Sequence, residues 1–146
     1  MQIHAQHRGD GTYEVRGSVS GTSIIVDTNH RSPEGSAAQG PRPMELVLFG
    51  AATCPAVDLV QILEKMRHPA EDLIVEVEGV RAAEDPHRFT EIALHFRIFG
   101  QGIPLEAAQR AVQLSVEKYC SVLASMNAEI RWTVTVPPAK VPDGED

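Results

Sequence analysis

Alternating and recurring apolar positions along the chain predict its elements in order. The stretch "TYEVRGSVSGTSIIVDT" holds two short β-prone runs around Ser20 and Gly21, a hairpin signal, and a run near Ile3 to His7 adds a strand before them. Residues 29–43, "NHRSPEGSAAQGPRP", are rich in Gly, Pro and Ser and read as a loop. A loop of that length in a compact domain is often functional or mobile. A helix follows from about Met44 to Arg67, with Pro43 where a missing amide is tolerated and His68–Pro69 closing it. From Leu46 to Val57 this helix is apolar on every side, the mark of a buried helix. Its second half turns amphipathic, with Val60, Leu63 and Met66 inside and Gln61, Glu64, Lys65 and Arg67 outside.

Two strands come next. "DLIVEVEGVRAA" alternates Leu73, Val75 and Val77 against Glu76 and Glu78, and "FTEIALHFRIFG" puts Ile92, Leu94, Phe96 and Ile98 on one face, with "EDPHR" between them. A second helix is predicted from about Pro104 to Asn127, its stripe running through Ala107, Ala108, Ala111, Val112, Ser115, Val116, Tyr119, Val122, Leu123 and Met126. The last strand, "AEIRWTVTV", alternates Ile130, Trp132, Val134 and Val136. The order βββ–α–ββ–α–β segregates strands and helices in runs, which argues an α+β fold. One domain is expected over residues 1–137, followed by a Pro-rich, acidic, disordered tail at 138–146. A single sheet of this size cannot easily wrap a helix apolar all round, so a second chain is expected to help cover it.

Composition narrows the function. The chain has 146 residues, 42% of them hydrophobic, which suits one domain with a sizeable core. A formal net charge of −7 argues against binding nucleic acid or an anionic membrane surface. The opening "MQIHAQHRGDG" lacks the basic and apolar regions of a secretory signal. The longest apolar stretch, Met44 to Val60, is interrupted by Glu45 and Asp58 and reads as too short to span a bilayer. A soluble, cytoplasmic protein is expected. Two cysteines are too few for a disulfide scaffold, and none of the six histidines has metal-ligand spacing, so no metal and no cofactor are expected.

Chemistry then rests on the cysteines. Cys54 lies mid-helix in the most apolar segment, where a buried, inert core thiol is the ordinary reading. Pro55 complicates it: with no N–H to bond the carbonyl of Ala51, it requires the helix to kink or restart at Cys54, and a restart would turn free amides toward the sulfur. Cys120 sits in "SVEKYCSV" on the second helix and has the same ordinary reading. Both cysteines are bordered by small residues, so the thiols could meet if the two helices pack side by side. Glu45 suits the helix dipole at its start. It precedes Cys54 by nine residues, which places it roughly opposite and about 13 Å along the axis, so it could reach the sulfur only through a bridging cation. Asp58, one turn beyond Cys54, would oppose a thiolate. Arg8 and Arg16 are the candidate cations, and each also reads as an ordinary solvated strand arginine.

These residues together resemble the OsmC/Ohr superfamily. The resemblance rests on "RPMELVLFGAATCPAVDLVQILEKMR", the two strands after it and "AVQLSVEKYCSVLASM", and extends over about residues 10–136. It implies an intertwined homodimer in which sheets from both chains wrap two central helices. It also implies a thiol peroxidase acting on organic or inorganic hydroperoxides with an external dithiol as reductant. By position Cys54 matches the attacking thiol, Cys120 the resolving thiol and Glu45 the acid that orients an arginine, for which Arg8 is the first choice and Arg16 the second. Pro55 stands where the peroxidase branch carries a small or aromatic residue, and the Glu45–Cys54 interval is one residue shorter. The alternative is a non-catalytic relative of the same fold, its cysteines structural and its interface pocket holding a small apolar ligand or nothing.

Overall fold

The computed structural model describes residues 1–28 and 37–138. Most of the predicted 29–43 loop and all but the first residue of the predicted 138–146 tail lie outside the described residues. The chain divides into two compact units, Met1–Val47 and Leu48–Asp146.

The first unit carries a three-stranded antiparallel sheet in the order β1 (Ile3–His7), β2 (Thr12–Gly17), β3 (Ser23–Asp27). The β1–β2 turn is closed by Asp10, whose carboxylate accepts from the Thr12 amide at 2.9 Å and from the Thr12 hydroxyl. Gly9 and Gly11 flank it at φ of 88° and 87°, a backbone region that costs glycine little. The predicted β2–β3 hairpin is present, with Gly21 at φ 68° donating its amide to the carbonyl of Gly17.

The second unit is built on a sheet in the order β4 (Asp72–Arg81), β5 (Phe89–Phe99), β6 (Glu129–Thr135). β4 and β5 pair antiparallel, whereas β6 runs parallel to β5 and so needs the long helical crossover between them. The apolar face read from β5 is the core: Ile92, Phe96 and Ile98 are fully buried and Leu94 nearly so. Leu59 and Leu63 of α1 (Pro43–Lys65) and Ala108, Ala111 and Val112 of α2 (Leu105–Leu114) are buried as well.

Three expectations meet the structure here, two of them corrected. First, α1 is one unbroken helix through Pro55 and does not restart there. Proline costs one i→i−4 bond, and the flanking turns hold the segment; no run of free amides faces Cys54. Second, as expected, the described residues of one chain do not cover α1 on all sides. Its fully covered positions are Ala51, Pro55, Leu59 and Leu63, a single stripe four residues apart, while Phe49 and Val57 are 55% and 59% exposed. Third, by length and composition α1 could cross a membrane, because its apolar run continues past Val60 and an 18-residue window reaches a mean hydropathy of 1.8. The helix closes in a left-handed turn, Arg67 at φ 62°, with the His68 amide bonding back to Leu63.

The second predicted helix also departs from regularity. α2 gives way to a wider π turn over Ser115–Tyr119, the chain extends at Cys120 (φ −69°, ψ 105°), and a short α3 (Ser121–Ala124) follows. The widened turn brings Cys120 rather than Tyr119 into line with Ser115. Tyr119, read as part of the buried stripe, is therefore 50% exposed, whereas Cys120 is 2% exposed.

Candidate functional site

The two cysteines come together between α1 and the π turn. Both are free thiols, Cys54 half-buried and Cys120 buried. The Cys54 thiol lies near enough to the Cys120 thiol to strengthen its hold on its proton. Cys120 caps α3 with its side chain, Sγ accepting the Leu123 amide at 3.4 Å. Burial pushes the Cys120 thiol up to about 11; the Leu123 amide opposes that rise and the neighbouring Cys54 adds to it. At neutral pH Cys120 is thus a protonated thiol. Of the two, Cys54 is the sulfur a reagent or substrate can reach.

A residue that the sequence reading passed over as a helix-stripe position fixes this arrangement. Ser115 is fully buried, and its hydroxyl donates to the main-chain carbonyl of Pro55 at 2.7 Å. The carbonyl of the same Ser115 accepts the Cys120 amide at 2.9 Å. One signal could have found it: a serine between Val112 and Val116 on an apolar face must spend its hydroxyl on a partner. In the same unit, a groove of about 310 Å³ is lined by Asp58, Ile62, Met66, Leu114 and Tyr119, the last next to Cys120 in sequence.

The remaining predicted residues lie in the first unit, each with a local role. Glu45 is exposed, and its carboxylate accepts the Arg42 amide at 2.8 Å, which caps the start of α1. Arg8 is exposed, donates its amide to the Thr12 carbonyl at 3.0 Å, and sits beside Asp10. The Thr12 hydrogen bonds hold Asp10 below the usual carboxylate range, with Arg8 contributing least. Arg16 lies in β2, paired with His4 and Ser23, with its side chain exposed.

Comparison with known proteins sets this chain in a family. The model of the OsmC-like proteins matches residues 34–135. The chain belongs to the OsmC-like family. It is 40% identical over 116 residues to Protein YhfA of Escherichia coli, covering 80% of this chain and 82% of that one. A hypothetical protein from Aquifex aeolicus superposes with a TM-score of 0.74 at 29% identity, covering 93% and 96% of the two chains. An organic hydroperoxide resistance protein OsmC from Legionella pneumophila has a TM-score of 0.66 at 20% identity over 92% and 96%, a likeness of fold. The α+β architecture read from the sequence is thus the OsmC-like one. OsmC-like proteins are typically soluble.

Proposed function

We propose that this protein is a thiol-dependent peroxidase of the OsmC/Ohr type that reduces organic or inorganic hydroperoxides. The observation that carries the reading is the pairing of an accessible Cys54 with a buried Cys120 across two helices. The relationship to a fold whose Legionella member is an organic hydroperoxide resistance protein supports it. In this reading Cys54, as thiolate, attacks one peroxide oxygen. The O–O bond breaks, the leaving oxygen departs as alcohol or water after taking up a proton, and Cys54 becomes a sulfenic acid. Cys120 then attacks that sulfur, water leaves, and a Cys54–Cys120 disulfide forms. An external dithiol restores both thiols by two exchanges and is itself oxidised to a disulfide.

Arg8 is the cation assigned to the Cys54 thiolate, and Glu45 the acid that orients it; both assignments rest on the resemblance. The reading also takes a cytoplasmic homodimer as the working form. The exposed Phe49 and Val57 on α1 support a second copy, because apolar side chains of that size on a central helix call for cover. The test is peroxide consumption with a dithiol reductant. Activity abolished in Cys54→Ser is expected; wild-type activity no higher than that of Cys54→Ser rules the reading out.

One set of observations favours a second reading, a non-catalytic member of the fold with structural cysteines. Cys120 is held protonated by burial, the continuous α1 offers Cys54 no free amides, and Glu45 is already engaged with Arg42. Cysteines that resist both alkylation at neutral pH and raised peroxide in the native protein would favour this reading.

A further inference from the structure

We propose that Ser115 is the positioning residue of the thiol pair, holding Cys54 and Cys120 in register through two hydrogen bonds of its own. The proposal deepens the peroxidase reading, since it gives Ser115 a part in forming the disulfide on which that reading depends. Its side chain holds the Cys54 segment: the hydroxyl bonds the carbonyl of Pro55, the residue after Cys54, at 2.7 Å. Its main chain holds the other: the carbonyl takes the Cys120 amide at 2.9 Å across the π turn. Both bonds are within the second unit, and Ser115 is fully buried, so neither is exchanged with solvent.

The need for such a clamp comes from Pro55. A helix that lacks the amide of residue 55 has one fewer internal bond at the turn carrying Cys54, and that turn is free to bend. A lateral hydroxyl on the Pro55 carbonyl removes this freedom. On the other side, Cys120 has left helical geometry, so its position depends on the few bonds that end the π turn. Disulfide formation requires the sulfurs to approach with defined separation and torsion, so a small loss of register on either side reduces the fraction of productive encounters. Alanine at 115 would keep the main-chain bond and delete the hydroxyl, uncoupling α1 from the π turn at this point alone.

The experiment measures the intramolecular disulfide at equilibrium with glutathione. Here the protein dithiol gives two electrons and two protons to glutathione disulfide and yields two molecules of glutathione. Ser115→Ala is expected to lower the effective concentration of the pair about tenfold, the scale of one lost buried hydrogen bond. Ser115→Thr, which keeps the hydroxyl, is expected to recover most of that loss. Ala108→Gly is the control for stability, because Ala108 is fully buried on the preceding α2 and its amide bonds Pro104 rather than the thiol segments. Equal effects of Ser115→Ala and Ala108→Gly at matched loss of melting temperature would overturn the proposal. So would a Ser115→Ala value within about twofold of wild type, given the scale of a buried hydrogen bond. A wild-type protein in which diamide forms no Cys54–Cys120 bond overturns it as well, since there is then no pair geometry to hold. Peroxidase function is judged separately: a protein that passes the glutathione test and consumes no peroxide refutes the peroxidase reading and leaves the role of Ser115 standing.

Discussion

Cys120 links the thiol pair to a pH dependence of stability that can be measured without substrate. Burial raises its thiol to about 11 from an ordinary 9.0, with Cys54 adding to the rise. The group is neutral when protonated, so the folded state favours the protonated form. Below the ordinary value both folded and unfolded chains keep the proton, and the contribution to stability is fully present. Between the two values the unfolded chain ionises first and binds fewer protons than the native one, so the free energy of unfolding falls as pH rises. The gap corresponds to about 2 kcal/mol once allowance is made for the part that belongs to both thiols jointly. The assay is urea denaturation under reducing conditions at about pH 8 and about pH 11, comparing wild type with Cys120→Ala. The cavity left by the missing sulfur lowers stability equally at both pH values, and titration of lysines and tyrosines is common to both proteins. The difference between the two proteins across the window isolates Cys120. Wild type is expected to lose about 2 kcal/mol more than the variant. Equal losses would refute the claim that burial keeps this thiol protonated.

Other outcomes follow from the same geometry. Iodoacetamide at neutral pH is expected to label Cys54 and leave Cys120 unmodified, read by peptide mass mapping, because only Cys54 is accessible and Cys120 holds its proton. Glu45→Ala is expected to cost about 0.5–1 kcal/mol in denaturant unfolding, the value of a helix-start cap. If Glu45 also orients the cation, its peroxide consumption falls by far more than that loss of folded protein explains. Arg8→Ala is expected to lower peroxide consumption at least about tenfold, as loss of a charge-assisted partner would, with Arg16→Ala near wild type; the reverse order would reassign the cation. Gly79→Ala is expected to destabilise by about 1–3 kcal/mol. Its new Cβ would lie 2.5 Å from a ring carbon of Phe89 and 3.1 Å from Leu48, and thermal unfolding reads the effect.

How far the sequence spoke depended on whether a signal was local. β5 was legible to the residue, because Ile92, Leu94, Phe96 and Ile98 alternate and all four face the core. The end of α1 and its outward Gln61, Glu64 and Lys65 were legible for the same reason. The parallel pairing of β6 with β5 was not, since strand order depends on where a crossover lands and leaves no trace in the alternation. The π turn was also hidden. A stripe through Ser115, Val116 and Tyr119 reads the same in a regular helix, and the extra residue per turn is visible only in Tyr119 turning outward and Cys120 inward. Both cysteines were found as candidates from their rarity and their neighbours, but their meeting required two helices to pack, which no single-chain periodicity reports.

Pro55 shows how a local rule can name the right residue and the wrong consequence. A proline beside Cys54 suggested a restarted helix whose amides would support the thiolate. The helix instead continues through the position without restarting, and the neighbouring carbonyl takes a hydroxyl from Ser115. The competing terms explain the outcome. Restarting the helix would leave several amides and carbonyls to be satisfied anew, whereas continuing it forfeits one bond in a segment whose Ala51, Pro55 and Leu59 are already buried. With main-chain amides removed as a source of positive charge, any stabilisation of a Cys54 thiolate has to come from a side chain. In the peroxidase reading that side chain is assigned as Arg8, with Arg16 the second choice, and activity is expected to follow one of these arginines rather than the helix around Pro55.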